Sequence, residues 1–146
     1  MAEVLFYHLE RSTLEQVLPG LLQKTLDRGG RAAVRCGTPD GLDRLDEHLW
    51  TYRDESFLPH GRAGEDREAE QPVLLTLDAA ANTPGTLFVV EGASATTEEM
   101  TGFERTVVMF GAPEAPDARD LWKAVKASGL EATYWKQVDG RWTKAG

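Results

Sequence analysis

Short runs of consecutive apolar residues alternate along the chain with stretches in which apolar residues recur at every third or fourth position. A continuous run of four to eight apolar residues, bounded by polar or turn-forming residues, is typical of a strand buried on both faces. The strands predicted in this way cover residues 3–9, 32–36, 73–77, 86–90 and 105–110.

The first helical stretch follows the first strand. Leucine and valine recur with a helical period from Leu14 to Leu26, and the pattern Ser12-x-x-Glu15 before them predicts a capping box. Pro19 interrupts this stretch, and a proline inside a helix costs about 3 kcal/mol. Either the helix kinks at Pro19 or its main part begins there; a pair of glycines then ends it.

Three further helices are predicted from their first residues. A hydroxyl group followed by proline at Thr38-Pro39 begins a helix that extends to about Trp50. The sequence TTEE from Thr96 can cap one short turn. Residues 113–117 lead into a last long helix, which Gly129 ends.

The end of the chain predicts a hairpin, because Asp139-Gly140 lies between strand-like flanks in residues 132–144. Strands that alternate with helices favour parallel pairing. We therefore predict one α/β domain over residues 1–146, a three-layer sandwich in which helices flank a mostly parallel sheet, with a C-terminal hairpin.

Composition indicates a soluble cytoplasmic protein. Hydrophobic residues make up 41% and charged residues 27% of the chain, as in ordinary globular domains. No apolar run approaches the roughly 20 residues that span a bilayer, and the first residues lack the basic region of a signal peptide. The one cysteine, Cys36, excludes an internal disulfide, fits a reducing compartment and is predicted to lie buried at a strand end.

Charge is distributed unevenly. The net charge of −8 disfavours tight direct binding of nucleic acid, because phosphate contacts dominate that affinity. From residue 119 onward, however, the chain has six basic residues and only three acidic ones. Such an asymmetry fits a basic surface for an acidic partner, and it fits equally a helix face that water merely solvates.

Patterns for catalysis are missing from the sequence. It contains no phosphate-binding glycine loop and no nucleophile elbow, and the histidines His8, His48 and His60 stand apart from one another. Neighbouring carboxylates, such as Glu98-Glu99, are interpreted as solvated surface groups. We predict no catalytic residue, no metal site and no cofactor; a small nucleotide- or metabolite-using enzyme remains the alternative.

The middle of the chain carries apolar residues where a loop should be polar. Residues 44–65 continue the second helix into a long segment with no clear period. Such segments rarely exceed about 12–15 residues unless they are functional or disordered, and aromatic residues argue against disorder. The segment's apolar residues either cover the edge of the core or form a partner-docking surface: Trp50, Phe57, Leu58 and Pro59.

The same segment supports a resemblance to a known family. LDEHLW, then SFLPHG and AGE, together with the opening VLFYHL, the step AVRCGTPD and the stretch ARDLWKAVKASG, resemble the chi subunit of the bacterial DNA polymerase III holoenzyme. That subunit is an accessory protein of the clamp-loader assembly. The resemblance implies a sheet covered on both faces by helices and a protein without catalysis of its own.

The resemblance also implies two partners. Family members bind the acidic, phenylalanine-ended C-terminal tail of single-stranded DNA-binding protein, and they join the clamp loader through a small psi subunit. Their tail-binding motif, basic-x-x-aromatic-Lys, falls here on Arg119, Trp122 and Lys123. Lys126 lies three residues after Lys123 and is assigned to the same site. Trp122 stands where the family has tyrosine. The psi-like clamp-loader subunit is assigned to the docking surface at Trp50 and residues 57–59.

Physical spacing is compatible with the tail site. Arg119 and Lys123 are four residues apart and therefore share a helix face. Their cations can bind the carboxylates of the tail peptide while Trp122 packs against its phenylalanine. The alternative, in which Trp122 belongs to the helix core, stays open. Three aromatic residues can complete the pocket: Tyr134, Trp135 and Trp142.

Overall fold

The structure is a computed structural model, and it describes residues 2–9, 13–51, 60–62, 71–77, 84–90, 92–138 and 141–144. The strands are β1 (Glu3–His8), β2 (Ala32–Arg35), β3 (Gly61–Arg62), β4 (Val73–Thr76), β5 (Thr86–Val89), β6 (Arg105–Phe110), β7 (Glu131–Val138) and β8 (Arg141–Lys144). The helices are α1 (Leu14–Asp27), α2 (Pro39–Thr51), α3 (Thr97–Met100) and α4 (Ala115–Ser128).

The strands form an eight-stranded sheet in the order β3-β4-β2-β5-β6-β1-β7-β8. Every neighbouring pair is parallel except β7 and β8, which form the antiparallel hairpin at the end. The first strand lies between two late ones, so Phe6 is in register with Val108 on one side and Tyr134 on the other. The predicted α/β fold, its mostly parallel sheet and its C-terminal hairpin are confirmed.

Helices pack on both faces of this sheet, and each face has its own apolar cluster. On one face the leucines of α1 and α2 pack against β2, β4, β5 and β6; the buried residues include Leu18, Leu22, Leu45, Leu49, Val34, Leu75 and Phe88. On the other face α3 and α4 pack against β1, β5 and β6; the buried residues include Met100, Ala118, Val125, Phe6, Leu87 and Val108. This arrangement is the predicted three-layer sandwich.

Helix α1 begins one residue later than the capping pattern at Ser12 predicts. Thr13 is the N-cap residue, and its hydroxyl accepts from the Gln16 backbone N–H at 3.2 Å while Gln16 Oε1 accepts from the Thr13 N–H at 2.9 Å. Both Ser12-x-x-Glu15 and Thr13-x-x-Gln16 satisfy the capping rule, so the sequence alone leaves the two registers equivalent. The prediction at Ser12 and Glu15 is therefore wrong by one position.

Pro19 lies inside α1, which continues without a break from Leu14 to Asp27. The alternative in which the main helix begins at Pro19 is therefore wrong. Proline has no N–H, so the carbonyl of Glu15, four residues earlier, lacks its helical donor. His48 on α2 supplies one, since its Nε2 lies 2.7 Å from that carbonyl oxygen and donates to it. The lone histidine thus stabilises α1 and joins it to α2.

The chain returns to α2 after the middle segment. His60 is buried, with Nε2 2.9 Å from Asp46 Oδ1, and Arg62 lies 2.6 Å from Asp43 Oδ1. Gly61 and Arg62 form β3, which the sequence did not predict because two residues carry no periodic pattern. The predicted docking residues Phe57, Leu58 and Pro59 lie outside the described residues, and only the helical backbone of Trp50 is described.

Candidate functional site

Helix α4 carries the candidate site, and its ends follow the predicted signals. Pro116 lies in the first turn, and Gly129 ends the helix in the left-handed conformation, with φ of 85°. The inner side of the helix is buried at Ala118 and Val125. Three cationic residues of α4 are exposed to solvent: Arg119, Lys123 and Lys126. The outer surface of the helix is therefore basic on balance, with three cations against two exposed carboxylates, Asp117 and Asp120.

Trp122 lies at the boundary between this basic surface and the core. It is half-buried and packs edge-on against two rings, Phe6 at 5.3 Å and 78° and Tyr134 at 5.9 Å and 89° between ring planes. The Lys126 Nζ lies 5.3 Å from the centre of the Trp122 ring, within cation–π range. Trp122 is therefore both a core-edge residue and a surface one, so the two sequence-based interpretations are not exclusive.

Further aromatic rings continue this surface across the carboxyl ends of β1 and β6. The Tyr134 hydroxyl lies 3.0 Å from His8 Nδ1, and the His8 ring stacks on Phe110 with centroids 4.8 Å apart and planes 18° from parallel. Phe110 in turn contacts Tyr134 at 6.0 Å. We call these five residues the helix-side cluster: Phe6, His8, Phe110, Trp122 and Tyr134. Sequence analysis had placed His8 and Phe110 in strands without giving either a role at the site.

The helix-side cluster contains one of the three C-terminal aromatic residues that the sequence left open. Tyr134 contacts Trp122, whereas Trp135 and Trp142 contact Tyr7, at 6.3 Å and 5.0 Å, on the opposite face of the sheet. Successive residues of a strand point to opposite faces of the sheet, so Tyr134 and Trp135 lie on different faces. Because β7 lies beside β1, the two side chains meet residues of β1 that also point to different faces. The alternation was readable in the sequence, but the neighbour of β7 was not.

A cavity of about 200 Å³ lies on the other side of α4, at the carboxyl ends of β5 and β6. Its walls include Val89, Phe110 and Leu121, and two carboxylates, Glu114 and Asp117, also line it. Arg119, Trp122 and Lys123 are absent from its described lining. Open α/β sheets bind ligands at this edge, but two carboxylates repel phosphate and acidic peptides.

Arg35 and Glu99 form an ion pair that connects β2 to α3, in which Arg35 is buried and Glu99 is exposed. The Arg35 guanidinium, 7% exposed, contacts both carboxylate oxygens of Glu99, at 2.8 and 3.2 Å, and donates to the Ser94 carbonyl at 2.9 Å. The hydrogen bond from Arg35, followed by that from the Thr96 backbone, holds the pKa of Glu99 below its usual value. Glu99 is exposed on a surface helix, as predicted, but its pairing with Arg35 was not predicted.

The described ranges hold no group of three or more His, Cys, Asp or Glu residues placed to bind a metal ion. None of the helices in the described part of the chain combines the length and apolar character needed to cross a lipid bilayer. Cys36 is buried, as predicted.

Comparisons with known proteins agree on one family. The family model described as "DNA polymerase III chi subunit, HolC" matches residues 1–133. The chain is similar to the DNA polymerase III subunit chi of Escherichia coli K12, 26% identical over 93% of this chain and 100% of that protein. It is also similar to the Pseudomonas aeruginosa PAO1 subunit of the same name, 36% identical over 53% of this chain and 55% of that protein.

Proposed function

The chain belongs to the DNA polymerase III chi subunit family, and from this membership we propose that it is a non-catalytic accessory protein of DNA replication in the cytoplasm. In this proposal α4 binds the acidic C-terminal tail of single-stranded DNA-binding protein. A separate surface near α2 joins the clamp loader through a psi-like subunit. The protein thereby bridges the two partners.

The observation that carries the tail site is the position of Trp122 among exposed cations. Arg119 and Lys126 lie one helical turn before and after it, and Lys123 follows it directly. A phenylalanine side chain can pack on the exposed part of the Trp122 ring, while the tail's carboxylates accept hydrogen bonds from the cations. In a chain of net charge −8, these residues concentrate positive charge where an acidic peptide would dock.

The aromatic residues that pack against Trp122 also favour binding. Phe6 is fully buried and contacts one side of the Trp122 ring, and Tyr134, itself hydrogen-bonded to His8, contacts it edge-on. A ring held in this way has little rotamer freedom left to lose when a ligand arrives. The helix-side cluster therefore orders the binding surface before the peptide docks.

The tail site is tested by removing its cations one at a time. Arg119→Ala and Lys123→Ala should each weaken binding of an acidic, phenylalanine-ended tail peptide by on the order of 1–3 kcal/mol, the range for hydrogen bonds to charged groups. Isothermal titration calorimetry measures this loss, and added salt should lower the wild-type affinity because exposed charge pairs are screened.

Arg44→Ala is the matched control, because Arg44 is an exposed cation on α2, across the sheet from α4. It should leave tail-peptide affinity unchanged. If both α4 variants bind as tightly as the wild type, the assignment of the tail to α4 is wrong.

The second partner is proposed to bind at the segment between α2 and β3. Phe57, Leu58 and Pro59 belong to the part of the chain that carries the resemblance, and both flanks of the segment are described. His60 contacts Asp46, which places the end of the segment against α2. Helices α2 and α4 lie on opposite faces of the sheet, so partners at the two sites need not compete.

Phe57→Ala should therefore weaken capture of a psi-like or clamp-loader partner, since aromatic residues are the usual anchors of interfaces. Tail-peptide affinity should stay within about 0.5 kcal/mol of wild type, as for sites that share no partner. Pull-down with the partner and calorimetry with the peptide measure the two effects. If Phe57 belongs to the core, the variant should instead lose about 3–5 kcal/mol of folding stability.

The alternative, a small nucleotide- or metabolite-using enzyme, gains nothing from the described residues. Such an enzyme would use the cavity at the carboxyl ends of β5 and β6. Glu114 and Asp117 line that cavity and disfavour a phosphate there. We therefore retain the accessory role as the proposed function.

A further inference from the structure

Three aromatic rings lie together on the sheet face opposite α4. Tyr7 contacts Trp142 at 5.0 Å and Trp135 at 6.3 Å, with ring planes tilted by 45° and 48°. All three side chains are partly exposed. We call this surface the tryptophan face. Both tryptophans lie beyond residue 133, where the family match ends, so the surface extends past the part of the chain that the family model matches.

The sheet itself places these rings. Trp135 on β7 is in register with Tyr7 on β1, and the hairpin brings β8 alongside, where Trp142 is paired with Gln137. The Trp135 Nε1–H donates to Thr133 Oγ1 at 3.2 Å. Because this polar group is already satisfied within the protein, the indole has its ring surface left for contact with a ligand.

A cationic cavity adjoins the tryptophan face at Tyr7. It has a volume of about 140 Å³, and its walls include Tyr7, Lys24, Arg28 and Arg105. No carboxylate is among its described lining residues, although the chain as a whole is acidic. Burial raises the pKa of Tyr7, against the opposing effect of Arg105, so its hydroxyl stays protonated and can donate a hydrogen bond.

Two of these cations, Lys24 and Arg28, form no ion pair with another described residue. Both are exposed, Lys24 in the last turn of α1 and Arg28 as its C-cap residue. Arg28 also lines a neighbouring cavity, where part of its charge is offset by carboxylates in the walls: Glu3, Glu104 and Glu131. Arg105 forms an ion pair, with its Nε 2.6 Å from Glu3 Oε1. The cavity therefore offers charge that an anionic group can still bind.

We propose that the tryptophan face and the adjoining cationic cavity bind single-stranded nucleic acid. Unpaired bases stack on the rings of Trp135 and Trp142, and a phosphate enters the cavity beside Tyr7. Single-strand binders combine these two features, aromatic rings for the bases and cations for the backbone, without reading the sequence. Neither proposed protein partner is assigned to these residues: the tail peptide is assigned to α4 on the opposite face, and the psi-like subunit to the other end of the sheet, beside α2 and β3.

The same residues predict the character of the binding. The net charge of −8, together with Glu131 at the beginning of β7 on this face, opposes a polyanion. Binding should therefore be weak and strongly dependent on salt, in keeping with the expectation that tight direct binding is disfavoured. A duplex should bind less well, because its bases are stacked on one another and cannot reach the rings. An acidic, phenylalanine-ended peptide could satisfy the cations and one ring, whereas Trp135 and Trp142 lie on neighbouring strands and offer two rings for successive bases.

The proposal is tested on the full chain at low salt by fluorescence anisotropy. The probe is a labelled oligothymidylate of about 15 nucleotides, near the upper site size for single-strand-binding domains. We expect saturable binding, weaker binding of a duplex of the same length, and a Trp142→Ala variant weakened at least about fivefold, the lower limit for loss of one base stack. Arg28→Glu should weaken binding to a similar degree and reduce the log–log salt slope by about 0.7, the value for one phosphate contact.

Lys136→Glu is the matched control, because Lys136 is exposed on β7 but lies on the α4 side of the sheet. It should bind nearly as well as the wild type. Arg28→Glu changes a solvent-exposed helix end and should fold even if Trp142→Ala disturbs the hairpin. The proposal is overturned if the oligonucleotide does not bind, if Arg28→Glu and Lys136→Glu lose affinity equally, or if an acidic peptide competes while the oligonucleotide alone shows no dependence on Arg28.

Discussion

Phe6→Ala should destabilise the protein by about 3–5 kcal/mol, the range for truncating a buried phenylalanine. Phe6 is fully buried in β1, an interior strand of the sheet, and its ring packs against Trp122. The loss combines the burial of the ring with the cavity that it leaves, because strands on either side hold the backbone in place and hinder collapse. Urea unfolding of wild type and variant measures the difference directly.

Leu77→Ala is the control, since Leu77 is 46% exposed at the end of β4. It should change stability by no more than about 0.5 kcal/mol. Under conditions in which Phe6→Ala remains folded, its affinity for the tail peptide should also fall, because Trp122 loses its support. A variant with wild-type stability would show that the core around β1 is packed differently.

Glu99→Ala should cost about 1.5 kcal/mol, the lower end of the range for hydrogen bonds to charged groups. The lower end applies because the Glu99 side chain is 40% exposed, so water can reach part of the site. Arg35 would retain its bond to the Ser94 carbonyl but lose both carboxylate contacts. The capping box of α3 would be lost as well, since Glu99 accepts from the Thr96 N–H.

Acid should reduce this difference. The pKa of Glu99 is lowered in the folded protein, so the pair contributes fully above the pKa of an unfolded glutamate and is lost as the pH falls through the lowered value. Unfolding measured against pH should therefore show the difference between wild type and Glu99→Ala narrowing as the pH falls below the ordinary pKa of glutamate, about 4.3. Glu99→Gln keeps an acceptor for the cap and isolates the charge, and Glu98→Ala, at the exposed neighbouring position, should be nearly neutral.

Local patterns in the sequence predicted the elements of the fold well. Buried strands, helical periods, proline and glycine at helix ends and the hairpin all depend on residues close together in the chain, and the structure confirms them. The capping box at Ser12 failed because two overlapping patterns were equally good. The strand β3 was missed because Gly61 and Arg62 are too few to show a period.

Contacts between distant elements could not be predicted in this way. His48 bonds to the Glu15 carbonyl, and Arg35 binds Glu99, 64 residues away, only because the fold brings these groups together. The same holds for the candidate site. Helical spacing placed Arg119, Trp122 and Lys123 on α4, but the ring that lies beside Trp122 depends on the order β6-β1-β7, which no local pattern specifies.

The central position of β1 also has a consequence for how the chain is made. Both neighbours of β1 come from residues 105–138, and the ion pair between Glu3 and Arg105 joins groups 102 positions apart. Strand β1 must therefore wait for β6 and β7 to be made, and closing so long a loop is slow. Until then its apolar segment has no partner in the sheet, so this segment is exposed to aggregation in the nascent chain.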